Sequence, residues 1–310
     1  MKRISIVTGA SSGMGTCFAK QLAMESACFT EKSLLLLSGG TKSGIKESEK
    51  LRQQASDEIW IIARREEKLA EVAKEIDIQA EKFNSESRAV RSGLCNNLYP
   101  EIKVFAVDLC GRDGAIKVNE LLKNEELNDK DLRINVLVNN AGFGTYGEFA
   151  KTDTVREMDM VDTDCTSLTG LTGFALPYME RGSRIINTAS LASFLPLGNF
   201  AVYGACKAFV LSLTVALAAE LKDKGIKVTA LCPGPVSTEF ADVASKGARK
   251  EVRHGVSPEK TVEHAIRCSR KGKLYSMWTF KWKFKAAASR FVGRYFGARM
   301  TYIFCKRPSN

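Results

Sequence analysis

Three side chains in the second half of the chain have the types and spacing needed for proton transfer. Tyr203 and Lys207 stand four residues apart in YGACK, and the stretch continues as the apolar helix AFVLSLTVALAAEL, so both side chains share one helical face. A free tyrosine titrates near pH ~10 and is a poor acid–base group at neutral pH. An ammonium beside it stabilises the phenolate and lowers that value. The phenol then protonates a carbonyl oxygen, or takes the proton of an alcohol in reverse. Ser190, at the end of the apolar run SRIINTAS, is placed to hydrogen-bond the same oxygen. Tyrosine–lysine pairs at this spacing are mostly structural when they occur alone, so a second motif must carry part of the argument.

That motif is TGASSGMG, residues 8–15, between the apolar run ISIV and the helical pattern GMGTCFAKQLAME. Small residues let the backbone approach a pyrophosphate, and the free N–H groups of a helix start favour its negative charge. The residues expected to hold it are Gly9, Ser11, Ser12, Gly13, Met14 and Gly15. The spacing is G-x-x-x-G-x-G, which differs from the common G-x-G-x-x-G fingerprint. A glycine turn serving packing alone is the competing reading.

With the loop in place, the sequence resembles the short-chain dehydrogenase/reductase family. The resemblance rests on TGASSGMG, NNAG at 139–142, Ser190 thirteen residues before Tyr203, YGACK at 203–207 and PGPVST at 233–238. It covers about residues 4–240. It implies a nicotinamide cofactor, whose oxidised ring also stabilises the phenolate. It further implies that Asp108 contacts the adenine, that Asn139, Ala141 and Gly142 line the cofactor, and that Pro233, Gly234, Val236 and Thr238 flank the nicotinamide. Asn139 is also expected to support the central sheet.

Two apolar runs, 34–37 and 59–62, compete to be the second strand. Generic spacing of the ribose-reading residue, about 20 positions past the glycines, favours the first. The order strand, basic turn and helix in DEIWIIARREEKLAEVAKEI favours the second. The leucine run is followed by SGGTKSG, read here as a loop with no helix behind it. The expectation is therefore a strand at 59–62 after about 30 inserted residues. Arg64 then pairs with the 2′-phosphate of NADP, helped by Arg65, and no acid stands at Ala63 to grip the free hydroxyl of NAD. NADP-preferring family members often carry ARR at this place.

One position departs from the family pattern. MVDTDCTSLTGLT puts Asp164 where the resemblance implies an asparagine that holds a water linking the lysine to solvent. An aspartate accepts a hydrogen bond from such a water, but its charge near Lys207 raises the tyrosine pKa. Activity with a shifted pH optimum is expected, and a dead enzyme is the competing outcome.

The elements that position these groups are strands near 102–109, 134–142, 183–190 and 226–235, with helices at 65–82, 148–180 and 201–224. Alternating strands and helices imply an α/β fold, a doubly wound Rossmann-type parallel sheet. One domain is expected: residues 1–272, with a polar surface insertion near 26–57 and a similar stretch at 84–100, plus an extension at 273–310. No apolar run is expected to reach the length of about 20 residues that spans a bilayer. No signal peptide is read, and nine scattered cysteines without C-x-x-C point to reduced thiols in a cytoplasmic protein. The two histidines, His254 and His264, sit in a charged region, so no metal site is expected.

Charge is unevenly spread. Residues 267–310 hold twelve of the 46 Lys/Arg and no acid, leaving 34 basic against 35 acidic residues elsewhere. Ten aromatics accompany those cations, WTFKWKFK alternates the two, and AAASRFVGRYFGARM reads as a basic amphipathic helix. A lid or subunit contact is the first reading, a peripheral contact with anionic lipid the second, an electropositive mouth for an acidic substrate the third. Nucleic acid is not expected, because no recognition motif accompanies the basic run. The function expected is NADP(H)-dependent interconversion of a ketone and a secondary alcohol. EIWIIARREEKL and the aromatic tail look most like bacterial members that include hydroxysteroid dehydrogenases, and an aromatic lid fits a bulky apolar substrate such as a steroid or bile acid. Reduction of acyl or lipid-like ketones is one alternative; a nucleotide-binding regulatory protein impaired through Asp164 is another. The resemblance also implies a homodimer or homotetramer, because family members often pair through helices like those at 148–180 and 201–224.

Overall fold

The computed structural model describes residues 1–249 and 255–309; His254 lies outside them. Among them, seven parallel strands form one sheet: β1 (Arg3–Thr8), β2 (Glu58–Ala63), β3 (Glu101–Ala106), β4 (Arg133–Asn139), β5 (Arg184–Thr188), β6 (Lys227–Leu231) and β7 (Tyr275–Ser276). Their order is β3-β2-β1-β4-β5-β6-β7. The winding reverses between β1 and β4, so a crevice opens there at the carboxyl ends of the strands, where ligands bind in such sheets.

Among the described residues, twelve α-helices connect and follow the strands. In chain order they are α1 (Gly13–Ser38), α2 (Lys42–Gln54), α3 (Glu66–Glu86), α4 (Arg88–Arg91), α5 (Gly111–Asn128) and α6 (Thr154–Val161). Then come α7 (Leu168–Ala175), α8 (Ala201–Glu220), α9 (Phe240–Ala244), α10 (Pro258–Arg270), α11 (Phe280–Ala288) and α12 (Arg294–Phe304). The pleat sorts β2 between two cores. Ile59 and Ile61 pack with Phe18, Leu22, Leu69 and Val262, while Trp60 and Ile62 pack with Val118, Leu122 and Leu171. Burying one such side chain stabilises the fold by about 1.5–3 kcal/mol.

The second strand is the run at 59–62, paired in register with both β1 and β3. The leucine run ends α1 instead, and the loop read after it is corrected to α2, a 13-residue helix. Leucine is a strong helix former without β-branching, and Leu34 and Leu35 rest against the core on the helical phase. Thr41 caps α2 by accepting from the Gly44 N–H, and the Ser33 and Ser48 hydroxyls join the two helices at 2.7 Å. The insertion is thus a helical hairpin.

Three further expectations change. The long helix at 148–180 is α6 and α7 joined by a π-helical turn, Asp162–Ser167. The amphipathic helix read in the tail is two helices, broken by a 3-10 turn at Ser289–Phe291 and by Gly293. By length and composition α8 is apolar enough to cross a membrane, which corrects the expectation that no such run exists. Its buried residues, Tyr203, Cys206, Lys207, Val210 and Thr214 among them, face the sheet and the site.

Candidate active site

The crevice begins with backbone. Gly9 and Gly13 have φ of +65° and +55°, and a Cβ at Gly9 would meet Ala141 Cα at 2.8 Å. A Cβ on Gly15 would collide with the Gly9 carbonyl. Ser12, at the start of α1, supplies no side-chain cap, so the first N–H groups of that helix face the loop without one. The Thr8 hydroxyl accepts from the N–H groups of Asn140 and Ala141, both at 3.0 Å, locking β1 to β4 across the crevice. A glycine cradle over an uncapped helix start fits a dinucleotide pyrophosphate.

The residues expected along it fall on this edge with differing partners. Asn139 is buried and gives its amide to Thr172 and Asn187, both at 2.9 Å, so it ties β4 to β5 and α7. Asn140, which sequence reasoning passed over, gives its amide to the Thr8 and Gly9 carbonyls. Arg65 starts α3 and reaches Ser11 Oγ at 3.3 Å and Glu239 at 3.4 Å. Arg64 leans instead toward Asp108, 4.0 Å away. Both arginines and Asp108 are exposed. The 233–238 segment leaves β6 and crosses the loop. Pro233 accepts from the Leu191 N–H at 2.9 Å, Gly234 lies against the Trp282 ring, Val236 bridges to Val256, and Thr238 packs on Gly13.

The groups expected to react gather beyond the end of β5 and on α8. Ser190 follows β5 and starts a 3-10 turn, accepting from the Ala192 N–H at 3.1 Å. Its hydroxyl lies near enough to the Tyr203 phenol to favour the phenolate. Lys207 gives a hydrogen bond to the Thr188 carbonyl at 3.1 Å, and its Nζ lies 5.6 Å from the Tyr203 ring centroid. Tyr203 is stacked on Phe200 at 4.1 Å and flanked by Phe240 at 5.3 Å.

Asp164 meets Lys207 directly, Oδ2 to Nζ at 2.9 Å, and both are buried. The π-helical turn aims this side chain inward, an irregularity often found at functional sites. Its other oxygen accepts from the Phe143 N–H at 3.0 Å and fills the space a Cβ on Gly142 would need. Burial pushes the Asp164 carboxyl up, against the pull of Lys207 and the Phe143 N–H. Burial works against the Lys207 charge, but Asp164 and Tyr203 outweigh it and raise that lysine. Burial also raises Tyr203. Lys207 and Ser190 oppose the rise, and Asp164 adds to it.

The tail closes the far side. Gly198 N–H donates to Thr301 Oγ1 at 2.9 Å, and the Asn199 amide donates to the Tyr302 carbonyl at 2.9 Å. Arg307 lies 4.8 Å from the Phe200 ring centroid. Phe200 and Arg307 carried no local motif that marked them; only the return of the chain brings them here.

This geometry agrees with known proteins. A family model described as short chain dehydrogenase matches residues 84–249. The chain belongs to the short-chain dehydrogenase family. An uncharacterized oxidoreductase of Staphylococcus epidermidis is 26% identical over 253 residues, 81% of this chain and 85% of the relative. A short-chain dehydrogenase from Sphingobium yanoikuyae in complex with NADPH shares the fold, with TM-score 0.65, 22% identity and 94% of each chain covered. So does a short chain dehydrogenase/reductase from Burkholderia phymatum in complex with NAD, with TM-score 0.65 and 17% identity, covering 100% of this chain and 97% of that one. The chain is therefore an oxidoreductase of this family on a Rossmann-like sheet, and its fold is shared by proteins that hold either form of the nicotinamide cofactor.

Proposed function

We propose that the chain interconverts a ketone and a secondary alcohol with NADP(H), on a bulky apolar substrate such as a steroid or bile acid. The observation that carries this reading is the gathering of Ser190, Tyr203 and Lys207 beside the crevice floored by the glycine loop. When bound, the cofactor supplies or accepts hydride. Tyr203 gives its phenolic proton to the carbonyl oxygen, and the Ser190 hydroxyl holds that oxygen by a second hydrogen bond. Lys207 restrains the phenol's pKa with its charge, and Asp164 offsets part of that effect. Arg65, within reach of Ser11 and unopposed by any acid at Ala63, supports the phosphorylated cofactor, with Arg64 beside it. Phe143, Tyr146, Leu197, Phe200 and Phe240 around Tyr203 support an apolar substrate.

The test follows nicotinamide absorbance with NADPH and NADH against steroid, bile-acid and simple ketones. Turnover of a bulky ketone with NADPH and little with NADH is expected. A preference for NADH would remove the arginine role. The 2.9 Å contact between Asp164 and Lys207 favours a second reading, a nucleotide-binding regulatory protein with little turnover. Tight NADPH binding without turnover, with turnover in Asp164→Asn, would select it.

Assembly and setting belong to the same proposal. Exposed Val155, Met158 and Phe209 on α6 and α8 support a dimer or tetramer built on those helices, which light scattering would measure. The nine free cysteines support a reducing, cytoplasmic setting. The tail's inner face supports the lid reading. Phe280, Phe284, Phe291 and Tyr295 on its outer face, among lysines and arginines, support a peripheral contact with anionic lipid, checked by vesicle sedimentation.

A further inference from the structure

Beside the aromatic stack on Tyr203 lies a cavity of about 500 Å³, walled on one side by the last residues of the tail. Its charge is lopsided. Among the described residues, five cations line it, Lys151, Arg156, Lys246, Lys306 and Arg307, against two acids. Both acids are already engaged: Glu148 pairs with Lys151 at 3.2 Å, and Asp153 caps α6 by accepting from the N–H groups of Val155 and Arg156. Arg156 donates to the Val243 carbonyl at 2.7 Å.

Arg307 is held differently. Its guanidinium lies 4.8 Å from the Phe200 ring centroid and 5.9 Å from that of Tyr146. Among the described residues it gives one hydrogen bond, to the Gly198 carbonyl at 3.3 Å, from a group that carries five donors. Among the described residues no carboxylate lies within 4.0 Å of it. Burial pushes its pKa below the usual arginine value, and the like charge of Arg249 adds to the push. A guanidinium drawn partly out of water, as half-buried Arg307 is, costs free energy that an anion would offset. Its planar fork fits a carboxylate or phosphate with two parallel hydrogen bonds.

The cavity also adjoins the reacting groups. Tyr146 lines it and belongs to the cluster around Tyr203. Phe200 touches both the Tyr203 ring and Arg307. We infer that this chamber binds an anionic group carried by the substrate, with Arg307 as its main ligand and Lys306 beside it, while the apolar frame runs back to the phenol. The inference rests on the carbonyl-oxidoreductase reading and narrows its substrate to an anionic amphiphile. The anion is either a carboxylate on the apolar frame or the phosphate of a thioester carrier.

The experiment uses matched probes on the full chain: an oxo-bile acid against its methyl ester, and a 3-oxoacyl coenzyme A against a simple thioester of the same acyl group. Turnover with NADPH and equilibrium binding are both measured, for the native chain, Arg307→Ala and Arg307→Lys. At least one anionic probe is expected to exceed its neutral partner by about tenfold, with that ratio collapsing toward one in Arg307→Ala and only partly kept in Arg307→Lys, which retains the charge but not the fork. The pair showing the ratio names the source of the anion. Anion-dependent binding that needs Arg307 without turnover upholds the chamber and removes the oxidoreductase reading. Turnover indifferent to charge keeps that reading and overturns the chamber, as does failure of both anionic probes to bind better than their neutral partners. An equal loss on both members of a pair in Arg307→Ala, with the ratio kept, also overturns it.

Discussion

Lys207 and Arg65 both place a positive charge at the carboxyl edge of the sheet, one sealed from water and the other open to it. Lys207 is 6% exposed, pinned by Thr188 and paired with Asp164 at 2.9 Å. Arg65 has a side chain 49% exposed and touches Ser11 and Glu239 at 3.3 Å and 3.4 Å. The sealed charge acts on its neighbours with little screening, so it and its partner pull the pKa of the phenol beside them in opposite directions. The open charge contributes little to the fold and is free to turn toward a ligand, at the mercy of salt.

The contrast breaks first at Tyr203. Tyr203→Phe keeps the stack on Phe200 but removes the proton, so turnover should fall about 10²–10⁴-fold while NADPH binding persists. Single-turnover kinetics beside a binding titration measure both. A rate near native would take the sealed site out of the chemistry.

Next comes the partner of the sealed charge. Asp164→Leu strands a buried ammonium and should cost about 3–5 kcal/mol in urea unfolding. Asp164→Asn keeps a hydrogen-bonding group for the Phe143 N–H and should cost less. Its effect appears in the pH profile. In the proposed reaction alcohol oxidation needs the phenolate, so its rate should rise as pH climbs through the Tyr203 pKa, which burial and Asp164 both raise. Removing the Asp164 charge lowers that pKa, and the rising limb should move to lower pH. A limb that stays put, or moves up, would mean that the ion pair does not govern the phenol.

The open charge should yield smaller effects. Arg65→Ala should cut the preference for NADPH over NADH by about tenfold, with Arg64→Ala less severe. Raising salt should weaken NADPH binding in the native chain and change it less in Arg65→Ala. If NADPH affinity ignores both arginines and salt, the exposed pair is only a solvated helix start. Smallest of all, Asp108→Asn should change unfolding free energy by less than about 1 kcal/mol, because its contact with Arg64 is long and exposed.

Much of the site could be read directly from sequence because its motifs are local. Gly9, Gly13 and Gly15 answer to a strand-to-helix turn, and Tyr203 and Lys207 to one turn of helix. The second strand was legible through its flanks, since Ile59 and Ile61 alternate with Trp60 and Ile62 between two cores. The helical hairpin was not, because α2 is polar and its stability comes from packing on α1 and a threonine cap. Apolar periodicity carries little signal for such a helix. The π-helical turn was equally hidden, being one extra residue in an otherwise helical pattern.

By itself the sequence determined which groups exist: the glycine loop, the serine, tyrosine and lysine, an aspartate at 164, and a tail rich in cations and aromatics. Those are properties of residue type and short spacing. Only the tertiary structure decided that Asp164 meets Lys207, that Arg65 reaches the loop while Arg64 turns to Asp108, and that Arg307 returns over a hundred residues to the edge of the phenol's pocket. Distances of a few ångströms between residues far apart in the chain depend on how helices and strands pack, and charge interactions in a dry interior depend on those distances above all.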